Sequence, residues 1–216
     1  MPKKIDREDR RAQIVRTYLK IAARDGLETT TSRAVANELG VSTGALWHYF
    51  AGFDDVVFRA FQLIFDRTND RIAKGVAEHT GLRALWEMLE EILPVGPETE
   101  REAFVVVNFW GRATSKPDLA QFQTEVAAQW RRQLLTHLQE AVDAGELAPS
   151  APLAGLADVL MVLITGFQVE CALQTTLASA QRQWQTIHHC LSAWLTGTGL
   201  EAIAHASTSS PGPSTQ

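Results

Sequence analysis

Residues 32–50 read Ser-Arg-Ala-Val-Ala-Asn-Glu-Leu-Gly-Val-Ser-Thr-Gly-Ala-Leu-Trp-His-Tyr-Phe. Two short helices joined by a tight turn need particular residue types at particular steps, and this stretch supplies them. Ala36 is small enough for the second helix to pack closely on the first. Gly40, at the turn, can take a backbone conformation that a side chain resists. Val35, Leu39, Val41, Leu46 and Tyr49 are spaced to seal the angle between the helices. The spacing predicts a helix-turn-helix, with an ordinary helical hairpin as the competing reading.

The pattern extends outward as helix. Ile14, Tyr18, Ile21 and Ala22 make one apolar stripe of period 3.6 within residues 8–25, and Gly26 is a stop signal. Thr31 offers a hydroxyl N-cap to a helix ending at Leu39–Gly40, and Ser42 offers one to a helix running to about Phe50. After Gly52, Asp54 can cap a long helix with Val57, Phe61, Ile64, Phe65, Thr68, Ile72 and Val76 inward. Thr80–Gly81 and Pro94–Pro97 bracket a helix carrying Leu82, Leu85, Trp86, Leu89 and Leu93. Residues 98–115 read as another helix, although Val105-Val106-Val107 would also suit a short strand. Pro117 fits the first turn of a helix reaching about Ala144, with Gly145 as its stop. Residues 153–178 and 180–196 give the two final helices. From about 205 the Ser/Thr/Pro/Gly-rich composition predicts a disordered tail.

Composition narrows the class. In 216 residues, 45% apolar and 21% charged content excludes a wholly disordered chain. Cys171 and Cys190 are too few for a disulfide framework. The charged N-terminus has no apolar stretch behind it, so no signal peptide is expected. The longest apolar run, 159–167, falls short of the ~18–20 residues of a membrane span. A soluble, cytoplasmic setting without membrane contact is expected. The net charge of −5 hides an asymmetry, with nine Lys/Arg against six Asp/Glu in residues 1–50 and an acidic remainder. A basic head on an acidic body suits one anionic partner surface.

The second helix of the motif has the chemistry for that partner. A helix N-terminus approaches base edges in the major groove. Here it presents Ser42, Thr43, Gly44 and Ala45, all small. Trp47 and His48 follow one turn later and can reach bases or sugar-phosphate, while Tyr49 both packs and can touch phosphate. Thr31 and Arg33 start the supporting helix and are placed for phosphate. Lys3, Lys4, Arg7, Arg10 and Arg11 could follow the backbone or enter a minor groove, or form a solvated end. The DNA-binding set is therefore Thr31, Arg33, Ser42, Thr43, Gly44, Trp47, His48 and Tyr49.

Residues 10–60 resemble the DNA-binding domain of the tetracycline-repressor (TetR) family of transcriptional regulators. The matching stretches are Ile14…Ala22-Ala23…Gly26, Thr30-Thr31…Val35-Ala36, Gly40 to Leu46 and His48-Tyr49-Phe50. The resemblance implies a C-terminal helical domain that binds a small effector and dimerises. Residues from Glu102 to Leu173 have a looser likeness to the C-terminal domain of the choline-responsive, BetI-like branch. Two positions depart from the family: Trp47 stands where Tyr is usual, and Phe53 where a phosphate-contacting Lys is usual.

The C-terminal half is rich in aromatics, and bundle interiors are where helical proteins hold small ligands. Trp86, Phe104, Asn108, Trp110, Phe122, Trp130, Phe167 and Glu170 form the candidate ligand set, with plain core as the alternative for each ring. Asn108, Gln168 and Glu170 are polar within apolar stretches. A buried carboxylate among rings would suit an amine or quaternary ammonium. The helix over 158–176 is apolar almost all round, and Trp184, Ile187, Leu191, Trp194 and Leu195 form a stripe on the next. Both predict a homodimer through the last two long helices, which suits two-fold related half-sites. His188-His189-Cys190 lacks a second ligand group one turn away, so no metal and no cofactor are expected.

The expectation is all-α: an N-terminal three-helix, helix-turn-helix DNA-binding domain (1–53), a helical ligand-binding and dimerisation domain (54–204), and a disordered tail (205–216). Its expected activity is that of a repressor released from a double-stranded operator by a small, mostly apolar effector. An all-α enzyme, or a sensor without DNA binding, is the alternative. Against the enzyme, the chain has no HExxH, GxSxG or Gly-rich phosphate loop.

Overall fold

Thr31 begins the fold's second helix as its sequence suggests: its Oγ1 accepts from the Ala34 N–H at 3.2 Å. The computed structural model describes residues 7–26 and 29–209, without the side chains of 205–209. Among these it has ten α-helices and no strand. Helices α1 (Arg7–Asp25), α2 (Ser32–Glu38) and α3 (Thr43–Leu46) form the head, and α4 (Phe53–Gly75) leads away from it. The body is α5 (Gly81–Ile92), α6 (Pro97–Ala113), α7 (Pro117–Asp143), α8 (Leu153–Ala172), α9 (Ala180–Ser192) and α10 (Gly197–Ser209). The Val105-Val106-Val107 run is helical, inside α6.

Two apolar cores share α4. The upper one gathers Ile14, Tyr18 and Ile21 of α1, Val35 and Ala36 of α2, Leu46 of α3, and Val56, Val57, Ala60, Phe61 and Ile64 of α4. Val105 and Phe109 of α6 and Val126 of α7 close it. Phe61 and Phe109 stack there with ring centroids 4.0 Å apart. The lower core takes Ile72 of α4 with Leu85 and Leu89 of α5, Leu134 and Leu138 of α7, Leu160 and Ile164 of α8, and Ile187 and Leu191 of α9.

Several local expectations give way to tertiary partners. Asp54 does not cap α4. The helix starts one residue earlier behind an extended Gly52, and Asp55 Oδ2 accepts from the Ala51 N–H. Asp54 instead reaches α6. The second motif helix ends at Leu46 rather than Phe50, because Leu46 and Phe50 both turn into the core and Trp47–Tyr49 make a turn between them. Ser42 holds the N-cap position there with no side-chain cap. The helix expected over 153–178 stops at Ala172; Gln174 takes φ +54° and a 3₁₀ turn spans Thr176–Ala178. The Trp184–Leu195 stripe belongs to the chain's own core: Ile187 and Leu191 are fully buried and Trp184 stacks on Trp86. The tail expected from 205 also gives way, since α10 continues to Ser209 and buries Ile203. Residues 210–216, and Lys3 and Lys4, lie outside the described residues.

Helix α8 is, contrary to the sequence expectation, long and apolar enough to cross a membrane by length and composition. It packs as a bundle helix instead, with Leu156, Leu160, Ile164 and Phe167 inside and Val159 and Val162 outside.

The N-terminus of α5 is held by two carboxylates, Glu140 in the last turn of α7 and Glu146 in the turn after it. Gly81 N–H donates to Glu140 Oε2 at 3.1 Å and Leu82 N–H to Glu146 Oε2 at 2.7 Å. Gly81 takes φ +61°, and a Cβ there would lie 2.4 Å from Glu146 Oε2. Burial pushes the Glu140 carboxyl up, but hydrogen bonds from His137 and Gly81 prevail and hold it below the usual range. Glu146→Ala removes a cap and is expected to destabilise by about 1 kcal/mol. Thermal melts should read this as a fall of roughly 2–4 °C.

Candidate DNA-reading head and effector cavity

The turn between α2 and α3 closes through Val41 N–H donating to Ala36 O at 3.0 Å, with Gly40 at φ +66°. No neighbour would touch a Cβ at Gly40, so the requirement there is conformational. Beyond the turn, Ser42, Gly44, Trp47 and His48 are exposed, and Thr43 and Tyr49 are half-buried. Arg33 is exposed on α2 beside the capping Thr31. A 41% exposed tryptophan on a small helical head is surface that the fold itself does not use.

The arginines of α1 divide their work. Arg11 Nε donates to Tyr49 O at 2.8 Å, and its guanidinium lies 5.5 Å from the Phe50 ring centroid. Arg7 donates to His48 O at 3.4 Å, and Arg10 to Gln13 Oε1 at 2.6 Å. Arg7 and Arg11 thus hold carbonyls just past α3. They fix the angle of the recognition segment, a role the sequence did not indicate.

At the start of α4, Phe53 packs edge-on against Tyr18, with centroids 5.8 Å apart. Burial pushes the Tyr18 phenol up to about 12, partly offset by Arg112. The residue in the usual lysine position is therefore part of the core wall. Asp54, next to it, accepts from Arg112 Nε at 2.8 Å and from Lys116 Nζ, and Asn108 accepts from Arg112. Hydrogen bonds from Lys116 and then Arg112 hold the Asp54 carboxyl below its ordinary range, against its desolvation.

Below the head, α4 to α8 enclose a cavity. Its volume is about 40 Å³. Phe61, Phe65, Trp110, Trp130 and Met161 form much of its apolar wall, and Glu91, Glu102 and Gln168 are polar members. Of the ligand set read from sequence, Trp110 and Trp130 line it. Their ring N–H groups are taken up by Gln123 Oε1 at 2.8 Å and Asn69 Oδ1 at 3.2 Å, which leaves the apolar ring faces for a ligand.

The others lie elsewhere. Phe122 packs edge-on against the rings of Phe58, Phe61 and Phe65. Trp86 stacks on Trp184 and Phe167 fills the lower core. Phe104 is half-buried off the cavity, and Asn108 is engaged by Arg112. Glu170 accepts from the Thr175 hydroxyl beyond the end of α8. Sequence reasoning missed Glu91 and Glu102. The signal for Glu102 was its step with Val105, Val106 and Phe109, at i+3, i+4 and i+7 on the inner face of α6.

A helix-turn-helix with small residues at the start of its second helix, carried on a helical body with an apolar cavity, defines a DNA-binding regulator. Residues 14–60 match the family model of bacterial regulatory proteins, tetR family, and residues 82–196 match that of the BetI-type transcriptional repressor C-terminal domain. The chain belongs to the TetR family of transcriptional regulators. Among curated relatives, the HTH-type transcriptional regulator PksA of Bacillus subtilis (strain 168) is 34% identical over 143 residues, covering 65% of this chain and 69% of that protein. The HTH-type transcriptional regulator BetI of Paraburkholderia xenovorans (strain LB400) is 26% identical over 186 residues, covering 80% and 87%. Among solved structures, a putative transcriptional regulator from Saccharomonospora viridis, in complex with choline, superposes with a TM-score of 0.78 at 19% identity. That match covers 88% of this chain and 99% of the other. A transcriptional regulator from Rhodococcus sp. Rha1 gives a TM-score of 0.70 at 24% identity, covering 85% and 94%.

Gly44 separates fold from function. A Cβ there would meet only Ser42 Oγ, at 3.9 Å, so nothing in the fold excludes one. Gly44→Ala is expected to leave stability unchanged or raise it by up to about 1 kcal/mol. On the reading that the start of α3 meets a duplex, the added methyl should weaken DNA binding. Melts and electrophoretic shifts on the same preparation check both halves.

Proposed function

We propose that the chain is a repressor, a homodimer released from a two-fold operator by a small, mostly apolar effector. In this reading residues 1–53 are the reading head and 54–204 the body that binds effector and partner. Ser42, Thr43 and Gly44 approach base edges, Trp47, His48 and Tyr49 reach bases or sugar-phosphate, and Thr31 and Arg33 meet phosphate.

One observation carries the reading: the cavity wall and the tie to the head lie on the same helix. Trp110 of α6 lines the cavity, and Arg112, two residues on, holds Asp54 in the first turn of α4. A ligand that shifts Trp110 shifts Arg112 with it, because a helix moves as a unit. Asp54 then transmits the shift to the helix that carries the head. The recognition segments of a dimer must lie ~34 Å apart, or a multiple of it, to enter successive major grooves. A ligand that fits only the displaced arrangement lowers the DNA-competent population.

The dimer reading rests on α8. Its outer face exposes Val159 and Val162, the latter at 70%, and Leu173 follows at 69%. On α9 the exposed residues are Gln181, Arg182, Gln185, Thr186, His188, His189 and Ser192, so that helix offers a polar flank rather than the apolar stripe expected.

Two substitutions test the proposal. Val106 lines the cavity, so Val106→Trp is expected to fill it, abolishing effector-induced release in an electrophoretic shift while DNA binding persists. Loss of DNA binding in the unmutated chain, with effector binding kept, would make it a sensor without DNA binding. Val162→Asp places a charge that meets its own copy across a two-fold interface. Burying it unpaired costs several kcal/mol, on the order of 3–5. Sedimentation should show a dimer for the parent chain and a monomer for the variant.

A further inference from the structure

The polar groups around the cavity are unevenly matched. Arg71 spends all five of its N–H donors: Nε on Glu91 at 2.6 Å, the others on Glu98, Glu102 (twice) and Thr68. The ring N–H groups of Trp110 and Trp130 are spent as well. Gln168, 7% exposed and part of the wall, donates through Nε2 to Ile92 O at 2.7 Å. Its Oε1 is buried with no partner. The charged residues of the cavity wall are two carboxylates, Glu91 and Glu102. Arg71 pairs with both from outside the wall and also with Glu98, and Arg67 acts on Glu102 as well. Burial pushes the Glu102 carboxyl up, with Arg71 acting against it.

Resting on the reading of this cavity as the effector site, we propose that it selects a small ammonium ion that keeps at least one N–H. The ligand is a primary or secondary amine on an apolar or aromatic body. Its positive charge faces the two carboxylates of the wall, and its body lies against the faces of Phe65, Trp110 and Trp130. Its N–H supplies the donor that Gln168 Oε1 lacks, and an unpaired buried acceptor is costly to leave. A quaternary ammonium has the charge but no N–H. A carboxylate meets Glu91 and Glu102 and finds no free guanidinium donor.

Calorimetry of the full chain with three matched probes tests this: 2-phenylethylamine, its N,N,N-trimethyl derivative and 3-phenylpropanoate. The primary amine is expected to bind at least about tenfold tighter than the trimethyl compound, the scale of one charge-assisted hydrogen bond, with the propanoate weakest. Gln168→Leu should bring the two cations close to parity, and Glu91→Gln should weaken both. If Gln168→Leu does not fold, the ranking on the parent chain decides. Equal or tighter binding of the trimethyl compound overturns the N–H assignment and leaves the cavity as effector site, as does tightest binding of the propanoate. Failure of all three to bind also overturns it, and the Val106→Trp comparison reads separately whether the cavity governs release.

Discussion

Helix α4 is a single rod that neither half of the protein can bury alone. Its first half packs Val56, Val57, Ala60, Phe61 and Ile64 with the head, and Ile72 near its far end belongs to the lower core. At 1.5 Å per residue its 23 residues span roughly 35 Å. The head therefore has no free hinge at residue 53. Its orientation is set by where α4 lies, and α4 lies where the body's cores let it. The Asp54 pairs with Arg112 of α6 and with Lys116 at the start of α7 fasten the same junction from the side. Small displacements in the body are therefore not absorbed by a soft linker before they reach the head.

Much of this architecture was legible in the sequence, for local reasons. The helix-turn-helix depends on Ala36, Gly40 and a few apolar residues within one stretch, so counting steps finds it. Thr31 caps as expected because its competitor groups are also local. Asp54 fails as a cap because its partners stand 58 and 62 residues away, Arg112 on α6 and Lys116 just before α7, where no periodicity reveals them. Helix α10 was hidden by its glycines and hydroxyl side chains, which read as tail. Its hold on the body comes from Ile203 and from Thr196, whose hydroxyl donates to Gly145 O at 2.7 Å.

The cavity was only half legible. The aromatic richness of the middle helices was plain, but period 3.6 tells which face of a helix is apolar, not whether that face meets a neighbour or a space. Trp86 and Trp110 look alike by that measure; one stacks on Trp184 and the other lines the cavity. The acidic members were harder still. A glutamate in step with Val105 and Phe109 reads as a misplaced solvent residue until Arg71, 31 positions away, is seen to hold it at 2.9 Å.

The placement of the six tryptophans has an optical consequence. Trp47 stands exposed on the head, Trp110 and Trp130 line the cavity, and Trp86, Trp184 and Trp194 sit in or against the lower core. The indoles thus report from three separate environments. Under the proposed function, emission from the lower group serves as an internal reference, a change at Trp110 or Trp130 reports on cavity occupancy, and a change at Trp47 reports on contact with a duplex. Single-tryptophan variants would let both ends of the lever be followed in real time by intrinsic fluorescence, with no dye attached.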